Sequence, residues 1–343
     1  MQELKWQLIA ESLDSLMRID IPARGIIPVL YEAAREKAQT PLTLAAVRMM
    51  KQTLKKGDTV LLTTGWIDQP VAAPGFGETD GPIGTIVLAR ALRQALGVCP
   101  VIVTDASLVD GMKAVAQAGG FHCLAPSNLN ASVELGKLMT LAVIPYPVDA
   151  TEAQAAAQPL LDELKPAMCI SIERGGLNEA GCIHNMAGRD TSATQAKVDY
   201  LFQQAAVCGI KTLGVGDGGN EIGMANIRET IRKEVAFGAV CDCPCELGIS
   251  PSTPVDLLVA ATISNWGCYA LAALLLAACD KPELIHNAVE EKRLIVAAAA
   301  AGFHDAIYGG VEWSVDGCAL PIHLSIVTLM KEAVEQGEKR YGK

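Results

Sequence analysis

Six short runs of apolar, largely β-branched residues do most to limit how this 343-residue chain can fold. They are TVLLTTG (59 to 65), CPVIVTD (99 to 105), LAVIPYP (141 to 147), AMCISIE (167 to 173), IKTLGVG (210 to 216) and DLLVAATIS (256 to 264). Near-continuous apolar runs of this length suit strands buried on both faces, as in a parallel sheet. Helical stretches such as PIGTIVLARALRQAL and TQAKVDYLFQQAAVCG separate most of them. Strands alternating with helices imply right-handed crossovers, so the expected fold class is α/β: a three-layer sandwich with a mostly parallel, doubly wound, Rossmann-like sheet.

Residues 1 to 56 come before the first run and are expected to form a helical segment. LIAESLDSLMRID and LYEAAREKA have helical apolar spacing, and TPLTLAAVRMMKQTLKKGD runs from Thr40 and Pro41 to Gly57, a cap at each end. No internal repeat, low-complexity tract or Pro/Ser-rich linker divides the chain. The expectation is therefore one domain over 1–343, with a helical segment at 1–56 and a sheet-containing core at 57–343. VDATEAQAAAQPLLDELKP (148 to 166) is the stretch where two lobes would join.

The formal charge is −10, with no Lys/Arg cluster, so neither nucleic acid nor an anionic membrane finds an electrostatic footprint. A small-molecule ligand is the expected partner, and a homo-oligomer is compatible with this. The 11 cysteines show no small-domain disulfide spacing, and no secretory signal pattern opens the chain; both point to reduced thiols and a cytoplasmic setting. LLVAATISNWGCYALAALLLAAC (257 to 279) is uncharged over a length that could cross a bilayer. Ser264, Asn265 and Gly267 interrupt it, and no basic flank supports insertion, so it reads as buried strand, loop and buried helix.

The polar residues that could carry chemistry follow the apolar runs directly. In a parallel sheet these positions are the carboxyl ends of strands, the rim on which open α/β folds bind ligands. After the first run, GFGETDGPIG places Thr79, Asp80 and Gly81 at the start of a helix, where free N–H groups favour an anion. After the fourth, ERGGLNEAGCIHNMAGRD offers Arg174, a bidentate clamp for a carboxylate, with His184 as an acid or base and Asn185 beside it. After the last, Ser264 and Asn265 need polar partners if buried.

GVGDGGNEIGM (214 to 224) matches G-x-G-x-x-G by letter, yet Asp217 and Glu221 stand where a pyrophosphate would lie. No strand ending in an acid follows at the usual distance, which argues against a dinucleotide. If a helix begins near Gly219, Asp217 and Glu221 share one face at i and i+4, and Gly218, Gly219 and Asn220 complete an acidic elbow. Such a pair can bind an ammonium, share a proton or hold a hard cation; if a metal binds, Asp217, Glu221 and Asp80 are its ligands, with Mg or Mn the candidate divalent cation. CDCPC (241 to 245) lacks paired C-x-x-C spacing and reads as buried strand thiols. Asp305, Glu312 and Asp316 near the carboxyl end take no assigned role.

Taken together, RG at 24 to 25, ETDGP, ERGG…HNMAG, GDGGNEIGM, SNWG…LAALL and VDG resemble the D-glutamate cyclase family, both the carboxyl-terminal domain of its mitochondrial members and its stand-alone bacterial ones. The resemblance covers nearly the whole chain. It implies a hydro-lyase interconverting D-glutamate with 5-oxo-D-proline and water. The mitochondrial members also carry a separate amino-terminal domain. On this reading Arg174 and the backbone of residues 79 to 82 hold the α-carboxylate, Asp217 or Glu221 takes the amine proton, and Asp80 or the other acid protonates the leaving oxygen. The competing readings are a nucleotide- or metal-dependent enzyme and a non-catalytic domain binding another small acidic ligand.

Overall fold

The computed structural model describes residues 2 to 341 apart from 68, 70 and 71. Three helices come first: α1 (Gln2–Met17), α2 (Ile27–Ala38) and α3 (Leu42–Thr53). The strands of the main sheet are β1 (Thr59–Thr63), β2 (Cys99–Asp105), β3 (His122–Cys123), β4 (Thr140–Tyr146), β5 (Pro166–Ile172), β6 (Lys211–Gly216) and β7 (Leu257–Ala260). Between and after them lie α4 (Pro82–Leu96), α5 (Val109–Ala118), α6 (Leu129–Leu135), α7 (Ala150–Leu164), α8 (Asp199–Val207), α9 (Arg228–Glu234), α10 (Ser264–Ala277) and α11 (Ala288–Ala300). A short hairpin, β8 (Ser314–Val315) and β9 (Cys318–Ala319), leads into α12 (Leu320–Tyr341).

All seven sheet strands are parallel, in the order β3-β4-β2-β1-β5-β6-β7. The chain moves outward from β1 to β2, then crosses back past β1 to β5. With right-handed crossovers, that reversal puts α4 and α5 on one face and α6, α7 and α8 on the other, giving the three layers. The β1/β5 junction is the topological switch point, and the register there pairs Thr63 with both Val103 and Ser171. The residues just beyond β1, β2, β5 and β6 are thereby brought level on one rim.

Helix α10 is buried along its whole length and packs on α4, α3, α1 and α12. This explains the uncharged sequence: there is no water-facing side to make polar. Among the described residues, no helix is long and apolar enough to cross a membrane. Residues 148 to 166 form the crossover helix α7 and its flanks, with α7 packed against α8.

The structure departs from the sequence reading in three places. Helix α3 stops at Thr53, short of Gly57, and no side chain of its own caps it. Asp14 of α1 caps it instead, accepting from the N–H groups of Leu42 and Thr43 and from the Thr43 hydroxyl. No helix starts at Gly219; residues 217 to 223 form a bent loop, and the next helical turn begins at Met224. CDCPC is not a strand but part of the loop between α9 and β7.

Candidate active site

Five carboxyl groups from four segments crowd the rim at the switch point. Asp80 precedes α4, Glu173 follows β5, Asp217 and Glu221 follow β6, and Asp316 sits in the turn of the β8-β9 hairpin. All are buried, with exposures of 0% to 8%. Oxygens of Asp80, Asp217 and Asp316 lie within 4.8 Å of one another, as do those of Glu173, Asp217 and Glu221.

Local backbone geometry aims these groups. Glu173 (φ 44°) and Asp316 (φ 51°) both occupy the left-handed region, which a residue with a Cβ enters at a cost of about 1–3 kcal/mol. Asp316 and Gly317 (φ 74°) form a two-residue Asp-Gly turn of the kind that closes tight hairpins. Asp305 secures that turn by accepting from Gly317 N–H. A Cβ on Gly81 would lie 2.8 Å from the Glu173 Cβ, so only glycine brings the start of α4 this close.

Asp80 and Asn265 tie two helix starts together. Asp80 accepts from the Ser264 and Asn265 N–H groups (2.8 Å each) at the head of α10. Asn265 Oδ1 accepts from Gly81 and Gly84 N–H at the head of α4, while its amide donates to the Thr79 carbonyl. Thr79 donates its hydroxyl to the Ser314 carbonyl, and Ser264 donates to Glu173 at 2.5 Å. Ser264 and Asn265 therefore find their partners within the protein.

Glu221 turns back on its own loop. Its carboxylate accepts N–H groups from Asp217 (2.7 Å), Gly218 (2.6 Å) and Gly219 (2.7 Å). These are the donors a phosphate would use, so the chain's own carboxylate fills the cradle. Gly214 and Gly216 lie in β6, and Cβ atoms there would meet Ile222 O at 2.8 Å and Met224 Cε at 2.9 Å. The G-x-G-x-x-G spacing thus serves the folding of a loop back over its strand. Asn220 points away, donating to the His184 carbonyl.

A buried group of five carboxyls cannot be fully ionised. Burial, reinforced by Asp217, pushes Asp80 up to about 7; burial and Asp80 push Asp316 up to about 7. Asp217 is raised well above its ordinary value by burial, against the pull of Arg24 and with Asp316 and Glu221 adding to the rise. Glu173 is raised by burial and by Asp217, Glu221, Asp80 and Glu78. Asp217 and Asp316 lie close enough for their carboxyl oxygens to share a proton.

The cation facing this cluster is Arg24. It donates to Asp217 Oδ2 at 2.7 Å and reaches Asp316 Oδ2 at 3.5 Å. It projects from the turn between α1 and α2, where Asp20 accepts from the Arg24 and Gly25 N–H groups. Its side chain is 22% exposed, against 5% for Asp217, so it forms the outward side of the group. Arg24 Nε is buried without a hydrogen-bond partner among the described residues, leaving one donor free.

Of the residues singled out in the sequence, Asp80, Asp217 and Glu221 converge, with Thr79, Gly81, Gly218, Gly219, Ser264 and Asn265 shaping the backbone around them. Arg174 does not join them. Fully buried, it pairs with Asp105 and donates to the Gly65 and Ala196 carbonyls, bridging β1, β2 and the segment before α8. The His184 imidazole faces the sulfurs of Cys243 and Cys245. Asn185 braces its own turn by accepting from the Ala187 and Arg189 N–H groups. Sequence reasoning assigned no role to Arg24, Glu173 or Asp316 at this site; the RG and VDG strings were the available signals.

A family model described as "D-glutamate cyclase-like, C-terminal" matches residues 13–331. The human protein named "D-glutamate cyclase, mitochondrial" is 31% identical over 273 residues, which is 77% of this chain and 38% of that protein. The chain thus spans well under half the length of that relative. The match runs through every segment that builds the carboxyl cluster, and the chain belongs to the D-glutamate cyclase-like, C-terminal family.

Proposed function

We propose that the chain is an enzyme acting on a small acidic amino acid, closing D-glutamate to 5-oxo-D-proline or running the reverse hydration. The relative's name supplies the substrate, and the observation that carries the reading is the buried carboxyl cluster beneath Arg24. In the ring closure, the amine nitrogen bonds to the side-chain carboxyl carbon and one oxygen of that carboxyl leaves as water. The ammonium gives up two protons and the departing oxygen gains two, so the reaction releases none. Groups that can both take and give a proton near neutral pH suit such a relay.

Arg24 takes the part first given to Arg174. Its guanidinium charge lies on the exposed side of the cluster, where it would face a substrate carboxylate. Asp316, pushed up to about 7, and Asp217 beside it, raised well above its ordinary value, take the two protons the ammonium gives up and return two to the leaving oxygen. Asp80 is fixed by the head of α10 and holds the charge balance. Glu221 keeps the loop in shape.

A second reading rests on the same oxygens. Asp80, Asp217 and Asp316 could hold a hard divalent cation, Mg or Mn, in place of their shared protons. Incubating the protein with D- and L-glutamate, with and without EDTA, and detecting 5-oxoproline on a chiral column tests both readings. D-specific product insensitive to EDTA supports the proton relay, and product abolished by EDTA and restored by Mn supports the cation. No product from either enantiomer, in either direction, overturns the catalytic reading.

A further inference from the structure

We infer that His184, Cys241, Cys243 and Cys245 form a structural zinc site. The inference does not depend on the proposed reaction. The sequence hides it, because the cysteines alternate with other residues and the fourth ligand lies far upstream in a different loop. In the fold, the three sulfurs and the imidazole meet. The Sγ separations are 3.5 Å (Cys241 to Cys243), 3.2 Å (Cys241 to Cys245) and 3.3 Å (Cys243 to Cys245). His184 Nε2 lies 3.2 Å from Cys243 Sγ and 3.5 Å from Cys245 Sγ.

These are close to the edges of a metal-centred tetrahedron. With Zn–S of about 2.3 Å and Zn–N of about 2.05 Å, tetrahedral angles place sulfurs about 3.8 Å apart and nitrogen about 3.6 Å from sulfur. The observed edges are a few tenths shorter, and all four ligand atoms lie within 4.8 Å of one another. A disulfide would need about 2.05 Å between sulfurs and would leave one thiol and the imidazole over. An iron–sulfur cluster would divide the four ligands between two or more irons and so place some of them further apart than these. Three thiolates with one imidazole form a soft donor set suited to zinc, and four protein ligands leave no open position, so the site is structural rather than catalytic.

Both loops are built to keep the ligands there. Asp242 N–H donates to the Gly188 carbonyl at 2.9 Å, fastening the cysteine loop to the turn that follows His184. Asn178 donates its amide to Cys245 Sγ at 3.4 Å, an outer contact of the sort that orients thiolate ligands. From His184 the connection runs on to the carboxyl cluster: its carbonyl accepts from Asn220, in the loop that carries Asp217 and Glu221. The metal would hold the 174 to 190 loop, the cysteine loop and the acidic loop in one arrangement.

The test uses the full chain purified under reducing conditions without added metal. Elemental analysis should find about one zinc per chain, falling below about a tenth in Cys241→Ser and Cys243→Ser. Cobalt(II) added to chelator-stripped protein should give saturable thiolate-to-metal and tetrahedral bands at one equivalent, and stripping should lower the Tm. His184→Cys keeps a four-thiolate set, so it should retain the metal even if the serine variants fold poorly. Folded, reduced protein that holds no zinc and gives no cobalt bands overturns the site, as does a disulfide among the three cysteines found by mass spectrometry.

Discussion

Replacing Glu221 by Gln separates a loop brace from a catalytic acid. In the parent, one carboxylate accepts three backbone N–H groups at 2.6 to 2.7 Å, all buried. Hydrogen bonds to a charged acceptor contribute about 1.5–3 kcal/mol each, and a buried donor left unpaired costs about 1–3 kcal/mol. The Gln carbonyl can still accept from Asp217 and Gly218, weaker by about 1 kcal/mol apiece, but its amide then confronts the Gly219 N–H, at about 2 kcal/mol more. Removing a negative charge beside Glu173 and Asp217 returns about 1–2 kcal/mol, for a net loss of about 2–3 kcal/mol. An unfolding entropy of about 2.1 cal/mol/K per residue over 343 residues makes this a fall in Tm of about 3–4 °C by calorimetry. Glu221→Asp keeps the charge but cannot span the three donors, so it should fall at least as far. A Glu221→Gln protein with parental Tm but no turnover would refute the reasoning and make Glu221 a participant in the reaction.

Arg174→Met should behave as a folding defect, losing about 3–5 kcal/mol because Asp105 is left as an unpaired buried charge; urea denaturation with the Asp105→Leu, Arg174→Met double variant should recover part of that loss. Arg24→Gln should raise the KM for the acidic substrate at least about tenfold, the loss of a charged carboxylate contact of about 1.4 kcal/mol or more, and should also lower the Tm, because Asp217 and Asp316 lose their cation. Asp316 and Asp80 titrate near 7 in the folded protein and near 3.9 unfolded, so between these values the folded state binds the extra protons and stability falls as pH rises. Asp316→Asn removes one such group, so its Tm relative to the parent should be higher at pH 8 than at pH 5; a constant difference would contradict the raised value.

The sheet could be read from the sequence because its strands are buried on both faces, which leaves continuous apolar runs such as Cys99–Asp105 that match the observed strand. The two-residue strands His122–Cys123 and Ser314–Val315 carry no such pattern, being too short to show a period. Asp80, Asp217 and Glu221 were legible as acids at strand ends, but the direction of each side chain was not. Glu221 looked like a partner of Asp217 on a helix face, and the loop instead curls so that Glu221 meets its own N–H groups. Arg174 was expected at the acidic cluster and Arg24 was not, because a cation's place depends on what lies opposite it. Asp217 is 193 residues from Arg24, and Asp105 is 69 from Arg174. The cysteine cluster escaped for the same reason: His184 is 59 residues from Cys243.

The reciprocal ties between Asp80 and Asn265 fasten one half of the site to two helix starts. Asp80 cannot swing without uncapping α10, and Asn265 cannot yield without freeing the first turn of α4. Across from them, Arg24 and Asp316 ride on short turns, the first held by Asp20 and the second by Asp305, Thr79 and Tyr308. A substitution at Asp80 or Asn265 is therefore felt by two helices at once, whereas one at Arg24 or Asp316 is felt first by its own turn.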